Sequence, residues 1–277
     1  MMNTKRERVM REPRRTMGGL YRTWLGRIAT APRMFLGLAL VSVVSCQTVP
    51  ITGRLAVNGF SLTEDKEMGA EAYDQMMSTE KLLTSGPEYQ LVNRVMNRLV
   101  AASSEHDPGF EWEVSVIDNP EVVNAFALPG GKMAVYTGIL SVAQGETGLA
   151  VVMGHEIGHA LARHGTQRLT SSGAVSVVLD LLLEGDAKAL ASELTNVLEL
   201  GYGRSQELEA DHIGLILMST AAYDPREAEA FWGRMAALGG SAPIEWLSTH
   251  PSNDTRIEEI RARLPQAMTL FNAATGQ

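Results

Sequence analysis

Residues 151–165 read VVMGHEIGHALARHG, and no other stretch limits this chain as much. His155 and His159 are four apart, so on a helix they share one face and both imidazoles reach one cation. Glu156 lies one position round, close enough to take a proton from a water at that cation without ligating it. The flanks LAVVMG and ALA are apolar, as a buried helix requires. One helix rarely completes a metal site, so the remaining ligands belong elsewhere in the chain. His164 lies five residues beyond His159, about 140° round a continuous helix, and should point away from the metal. The spacing HExxHxxGxxH is excluded, because Ala162 and Gly165 occupy the positions that would need glycine and histidine.

The other histidines are His106, His212 and His250, and a carboxylate is a further candidate for the third ligand. SQELEADHIGL, residues 205–215, places Glu207 and Asp211 on one helix face. One of them can ligate while the other steadies a ligand histidine through its free ring nitrogen. Glu209 is about 200° from Glu207 on such a helix, so the two cannot face one ion. A solvated acidic face is the plainer reading. Against it, Leu208, Ala210, Ile213, Leu215 and Ile216 argue for burial, and a buried carboxylate needs a partner such as zinc.

Charge is uneven along the 277 residues. Residues 1–45 hold nine Lys/Arg against Glu7 and Glu12, leaving 15 basic and 30 acidic residues for the rest. So acidic a body repels phosphate backbones, and nucleic acid is not an expected partner. The basic leader runs into MFLGLALVSVVSC, residues 34–46, too short to span a bilayer but suited to a secretory signal. VVSC resembles a bacterial lipobox, with Cys46, the chain's one cysteine, as the lipidated residue. An ordinary cleaved signal followed by a free thiol is the alternative. Gln47, where retained lipoproteins carry Asp, implies outer-membrane sorting by the same resemblance. The division expected is residues 1–45 as lipoprotein signal peptide, 46–60 as lipidated tether, and 61–277 as a single domain built around the HExxH helix.

Along that domain, Ser61 with Glu64 forms a capping box for a helix to about Ser78. A second helix follows Pro87. FEWEVSVID, residues 110–118, alternates as a strand, and AFALP and KMAVYTG flank Gly130-Gly131 as a hairpin. From Gly145 helical periodicity dominates, with breaks near Ser171–Gly173, Gly185, Gly201–Gly203, Pro225 and Gly239–Pro243. The fold class expected is α+β and mostly helical, with one small sheet.

These pieces together resemble the zinc metallopeptidases of the HtpX and CaaX-prenyl-protease type, gluzincins of metallopeptidase family 48, and VPITGR after the cysteine resembles their periplasmic lipoprotein branch. HEIGH followed by ELEAD carries the likeness. NAFALPGGKMAVYTGIL, RSQELEADHIGL and STHPSNDTRIEEI follow in the family's order. The resemblance implies a zincin-like core around the HExxH helix and one Zn²⁺ per chain, held by His155, His159 and Glu207. Glu156 becomes the general base and Asp211 stands behind a ligand. Arg204 and Arg256 are placed to pair with the site's carboxylates. His250, fixed extended before Pro251, is implied beside the metal as a donor to the oxyanion; the alternative is a structural histidine before a helix starting at Ser252 or Asn253.

The implied activity is endoproteolysis of extended or unfolded polypeptides, with misassembled outer-membrane proteins as the natural class. The implied place is the periplasmic side of an outer membrane, through the lipid anchor. A strand around Lys132–Thr137 could pair with substrate by β-augmentation, and residues 166–203 form either a lid or part of the core. Two rivals stand beside this: a zinc-containing assembly factor with little turnover, which has no use for Glu156, and a cell-wall peptide hydrolase. The sequence carries no indication of oligomeric state.

Overall fold

The computed structural model describes residues 45–238, 245–250 and 254–277. The leader expected as a signal peptide, and the helix start expected at Ser252 or Asn253, lie outside these residues. The chain opens with a hairpin of β1 (Ser45–Thr48) and β2 (Leu55–Asn58). There follow α1 (Leu62–Met77), β3 (Leu82–Leu83), α2 (Pro87–Ser103), β4 (Glu113–Ile117), β5 (Ala125–Ala127) and β6 (Lys132–Tyr136). The remainder is helical: α3 (Gly138–Ala143), α4 (Glu146–Leu161), α5 (His164–Ser172), α6 (Val175–Glu184), α7 (Ala187–Glu199), α8 (Arg204–Thr220), α9 (Glu227–Leu238), α10 (Glu245–Thr249) and α11 (Asp254–Thr275). The fold is mostly helical with a small central sheet, as expected.

Local chemistry sets the boundaries. Ser61 caps α1 and Glu64 returns to the Ser61 N–H at 2.6 Å, completing the capping box. The expected strand over 110–118 shortens to β4, because Asp107 accepts from the Gly109 and Phe110 N–H groups and from Trp112 Nε1. That side chain folds the segment into a turn before any ladder begins. Gly130, at φ 79°, turns the chain between β5 and β6, which pair antiparallel.

Sheet order is β3-β4-β6-β5, with β4 and β6 parallel. The strand expected to take substrate, around Lys132–Thr137, is therefore interior, with both ladders occupied. The two edges are β3, only two residues long, and β5. Side chains alternate across β6, Met133 and Val135 entering one core and Ala134 another. The first core lies among α2, α4, α8, α9 and α11; the second joins α1 to α5, α6 and α7. Of residues 166–203, α7 buries Leu190, Leu194 and Val197 in that second core, whereas α6 buries Val178 alone.

The expected tether also has structure. Pro50 and Gly53 shape the turn of the β1–β2 hairpin instead of ending order: Val49 N–H donates to Arg54 O, and Gly53 N–H to Val49 O. Val49, Ala56 and Asn58 are buried beneath it, while Cys46, Leu55 and Val57 face outward. No helix among the described residues is long and apolar enough to cross a membrane.

Candidate metal centre

α4 is buried on every side from Gly148 to Leu161, as a helix apolar all round must be. It crosses α8 at contact distance between backbones. A methyl on Gly214 would lie 2.8 Å from Gly154 C and His155 N, and one on Gly158 2.7 Å from Ala210 O. Only glycine permits this approach, and the approach carries Glu207 of α8 to the histidines of α4.

His155 Nε2 and His159 Nε2 face each other at 3.0 Å. Glu207 Oε2 lies 3.6 Å from the first and Glu207 Oε1 3.3 Å from the second. His250 joins them, and one ligand atom from each of the four lies within 4.8 Å of the others. Glu207 Oε1 and His250 Nε2 are buried with no hydrogen-bond partner. Buried polar atoms are rarely left so, and two imidazoles, a carboxylate and a third imidazole turned inward fit a four-coordinate cation of the zinc type.

Burial pushes Glu156 up to about 8, although Trp246 Nε1 donates to its Oε1 at 2.9 Å. Burial likewise carries Glu207 up to about 9 against the pull of Arg256. It lowers His155 to about 4, and takes His159 and His250 well below their usual range. For Asp211 burial acts upward, but the Arg256 guanidinium outweighs it and holds the carboxyl low. Asp211 Oδ1 meets His155 Nδ1 at 2.9 Å, the supporting contact expected of it.

The arginines differ from expectation. Arg204 is exposed at the start of α8, and no ion pair joins it to the site's carboxylates among the described residues. Arg256 does that work alone, 2.6 Å from Glu207 Oε2 and 2.7 Å from both Asp211 oxygens, with its guanidinium 3.6 Å over Trp232. His250, just past α10, turns Nδ1 to Thr249 Oγ1 at 2.8 Å and places Nε2 3.6 Å from Glu156 Oε1. His106 is exposed.

His164 is not among the four residues whose ligand atoms converge, and it does not lie where helix arithmetic put it. α4 ends at Leu161, Arg163 takes φ 56°, and His164 opens α5. It therefore lies against His159 instead of 140° away. Sequence reasoning also missed Tyr202, stacked on His159 at 3.9 Å, and Trp246, which holds Glu156. Both follow glycine breaks or helix starts far along the chain, where no spacing rule reaches. A cavity of about 490 Å³ opens beside Glu156 and His250, walled by Met76, Met77, Phe126, Tyr136 and Leu198.

A buried HExxH helix crossed by a glutamate-bearing helix, with a carboxylate behind one histidine, is the arrangement of a zincin-like metallopeptidase. The chain belongs to peptidase family M48, whose model matches residues 88–264. It is 40% identical over 229 residues to the mitochondrial metalloendopeptidase OMA1 of Schizosaccharomyces pombe, covering 79% of this chain and 66% of that one. It is 31% identical to the human metalloendopeptidase OMA1, mitochondrial (86% and 51%), and 29% identical to the beta-barrel assembly-enhancing protease of Escherichia coli (80% and 48%). The chain thus spans between about half and two thirds of these relatives' lengths. The family expected is the family found, but the HtpX, CaaX and periplasmic lipoprotein branch is not what these relatives support. They also overturn the expected location on the periplasmic side of an outer membrane: the relatives at 40% and 31% are mitochondrial proteins.

Proposed function

We propose that the chain is a zinc-dependent endopeptidase of extended or unfolded polypeptides. The observation that carries this is the convergence of His155, His159 and Glu207 beside the Glu156 carboxyl at the mouth of a substrate-sized cavity. A zinc ion bound there supplies Lewis acidity to water and to the scissile carbonyl. Glu156 takes the proton from the water that adds to that carbonyl and returns it to the leaving amine. Its raised affinity for protons suits both halves of the exchange.

Four protein ligands close a metal site, whereas catalysis keeps one position open. His155 and His159 are locked in α4 and Glu207 in α8. His250 follows a five-residue helix, so we assign it to the substrate side, beside the developing oxyanion; its Nδ1 faces Trp246 O, so Nε2 donates to that oxyanion only once the ring has gained a second proton. Asp211 fixes His155, and Arg256 fixes Asp211 and Glu207. An extended peptide adds to the outer edge of β5, on which no strand pairs, with Phe126 directing one apolar side chain into the cavity.

The test uses purified full-length chain, casein as an unfolded substrate, and chelator. Cleavage should stop on metal removal and return with Zn²⁺. Glu156→Gln should keep the metal and lose about 10²–10⁴-fold in kcat. Metal-replete Glu156→Gln at wild-type turnover would remove Glu156 from the mechanism.

A further inference from the structure

The two ligand histidines of α4 are steadied by different devices. His155 Nδ1 meets a carboxylate directly, through Asp211. His159 Nδ1 meets another imidazole: His164 Nδ1 stands 2.9 Å away, and His164 Nε2 reaches Glu209 Oε2 at 3.0 Å. Glu209 is gripped in turn from the N-terminal hairpin. Thr52 Oγ1 donates to its Oε1 at 2.5 Å and Arg54 Nε to its Oε2 at 2.7 Å. His164 is fully buried, and Glu209 nearly so.

With His159 Nε2 turned to the ligand cluster, the proton on that ring sits on Nδ1. The hydrogen bonds then run one way only: His159 Nδ1–H donates to His164 Nδ1, and His164 Nε2–H donates to the Glu209 carboxylate. The opposite tautomer of His164 would set a bare nitrogen lone pair against that carboxylate, so Glu209 selects the form that accepts from His159. Such outer partners fix the plane and basicity of a ligand imidazole.

We infer that His164 is a positioning residue for the metal ligand His159, passing the hold of Glu209 to it through one imidazole, and that Thr52 and Arg54 of the hairpin form the outer end of this chain. The inference rests on the zinc reading proposed above. It makes the β1–β2 hairpin part of the metal centre's support, although none of its residues approaches the ligand atoms.

The test is Zn²⁺ affinity of the full chain, measured by competition with a chromophoric chelator. His164→Phe keeps the ring and the burial but removes both nitrogens, and should weaken Zn²⁺ about 10–100-fold. His164→Asn restores an acceptor towards His159 and should recover part of the loss. Glu209→Gln should weaken Zn²⁺ in the wild-type background yet add nothing on His164→Phe, because a single chain is broken once. If His164→Phe does not fold, His164→Asn and Glu209→Gln form the same cycle. Zn²⁺ affinity within twofold of wild type in the folded His164 variants would overturn the inference while sparing the metallopeptidase reading. So would losses that multiply in the double variant. A wild-type chain with no affinity for Zn²⁺ would overturn both.

Discussion

The buried ionisable residues of the centre titrate in opposite senses, and this has a measurable consequence. Without metal, Glu156 and Glu207 bind their protons more tightly in the folded chain, up to about 8 and about 9. What they contribute to stability is complete below the ordinary carboxyl range and is lost as pH rises through those values. His155, lowered to about 4, acts the other way: the unfolded chain gains its proton below 6.5, so stability governed by His155 rises with pH across that window. Above 6.5 only the carboxyls remain in play. The metal-free Tm should therefore fall from about pH 6.5 towards 9, and bound Zn²⁺, which neutralises Glu207, should flatten the fall. Melting curves with chelator and with Zn²⁺ decide this, and a metal-free Tm that climbs over that range contradicts it. Of the residues involved, His155, Glu156 and His159 were legible from offsets of one and four on a helix; the pair Glu207 and Asp211 was legible from an offset of four, but which of them faces the histidine ring nitrogens came only from the family resemblance. Arg256 was placed by position alone, and Trp246 by nothing local, because both reach the site from elements that sequence cannot orient.

At the scale of elements, the decisive contact is the crossing of α4 and α8. Gly154 and Gly158 are four apart, like the histidines beside them, and meet α8 at Gly214 and Ala210. Gly214→Ala places its methyl 2.8 Å from backbone atoms of Gly154 and His155, which cannot swing aside as a side chain would. We expect a loss of about 1–3 kcal/mol of stability and weaker Zn²⁺ binding, since the strain retracts Glu207. Gly233→Ala on α9, where an added methyl meets nothing, is the matched control. Denaturant titration with metal content measured on both variants is the check, and equal behaviour would show that the crossing tolerates a wider separation. The ends of these helices were less legible than their faces. The break between α4 and α5 falls at Ala162–Arg163, without glycine or proline. Arg163 holds its left-handed backbone through contacts to Asp65, the Phe60 carbonyl and Gln47, all about a hundred residues earlier. Helix arithmetic carried across that break put His164 on the wrong side.

For the whole molecule, the sheet limits where the substrate proposed above can pair. β6 is enclosed by β4 and β5, and of the two edge strands, β3 and β5, only β5 lines the cavity that α1, α7 and β6 also wall, through Phe126. Leu198→Trp, on the half-buried inner face of α7, should fill part of that cavity. Cleavage of peptides with a large apolar residue next to the scissile bond should drop about 10-fold or more in kcat/KM, at 1–3 kcal/mol for lost pocket volume. Peptides with alanine there should change little. Equal losses for both would show that the cavity does not read that side chain. Sequence patterning located the sheet and its hairpin but not its order, because a parallel pairing such as β4 with β6 leaves no local turn to announce it.

The hairpin in front of all this is also a load path. Tension entering the chain at Ser45 falls first on the rungs that join β1 to β2, and through Gln47 on Arg163 at the α4–α5 junction. From the turn of the same hairpin it falls on Thr52, Arg54 and Glu209. These bonds are short and stand in series with His159. A pull of mechanical origin on this hairpin would therefore reach the ring of His159 as well as the first core, which Val49 and Ala56 enter, so the loosening of one imidazole would accompany the first slackening of that packing.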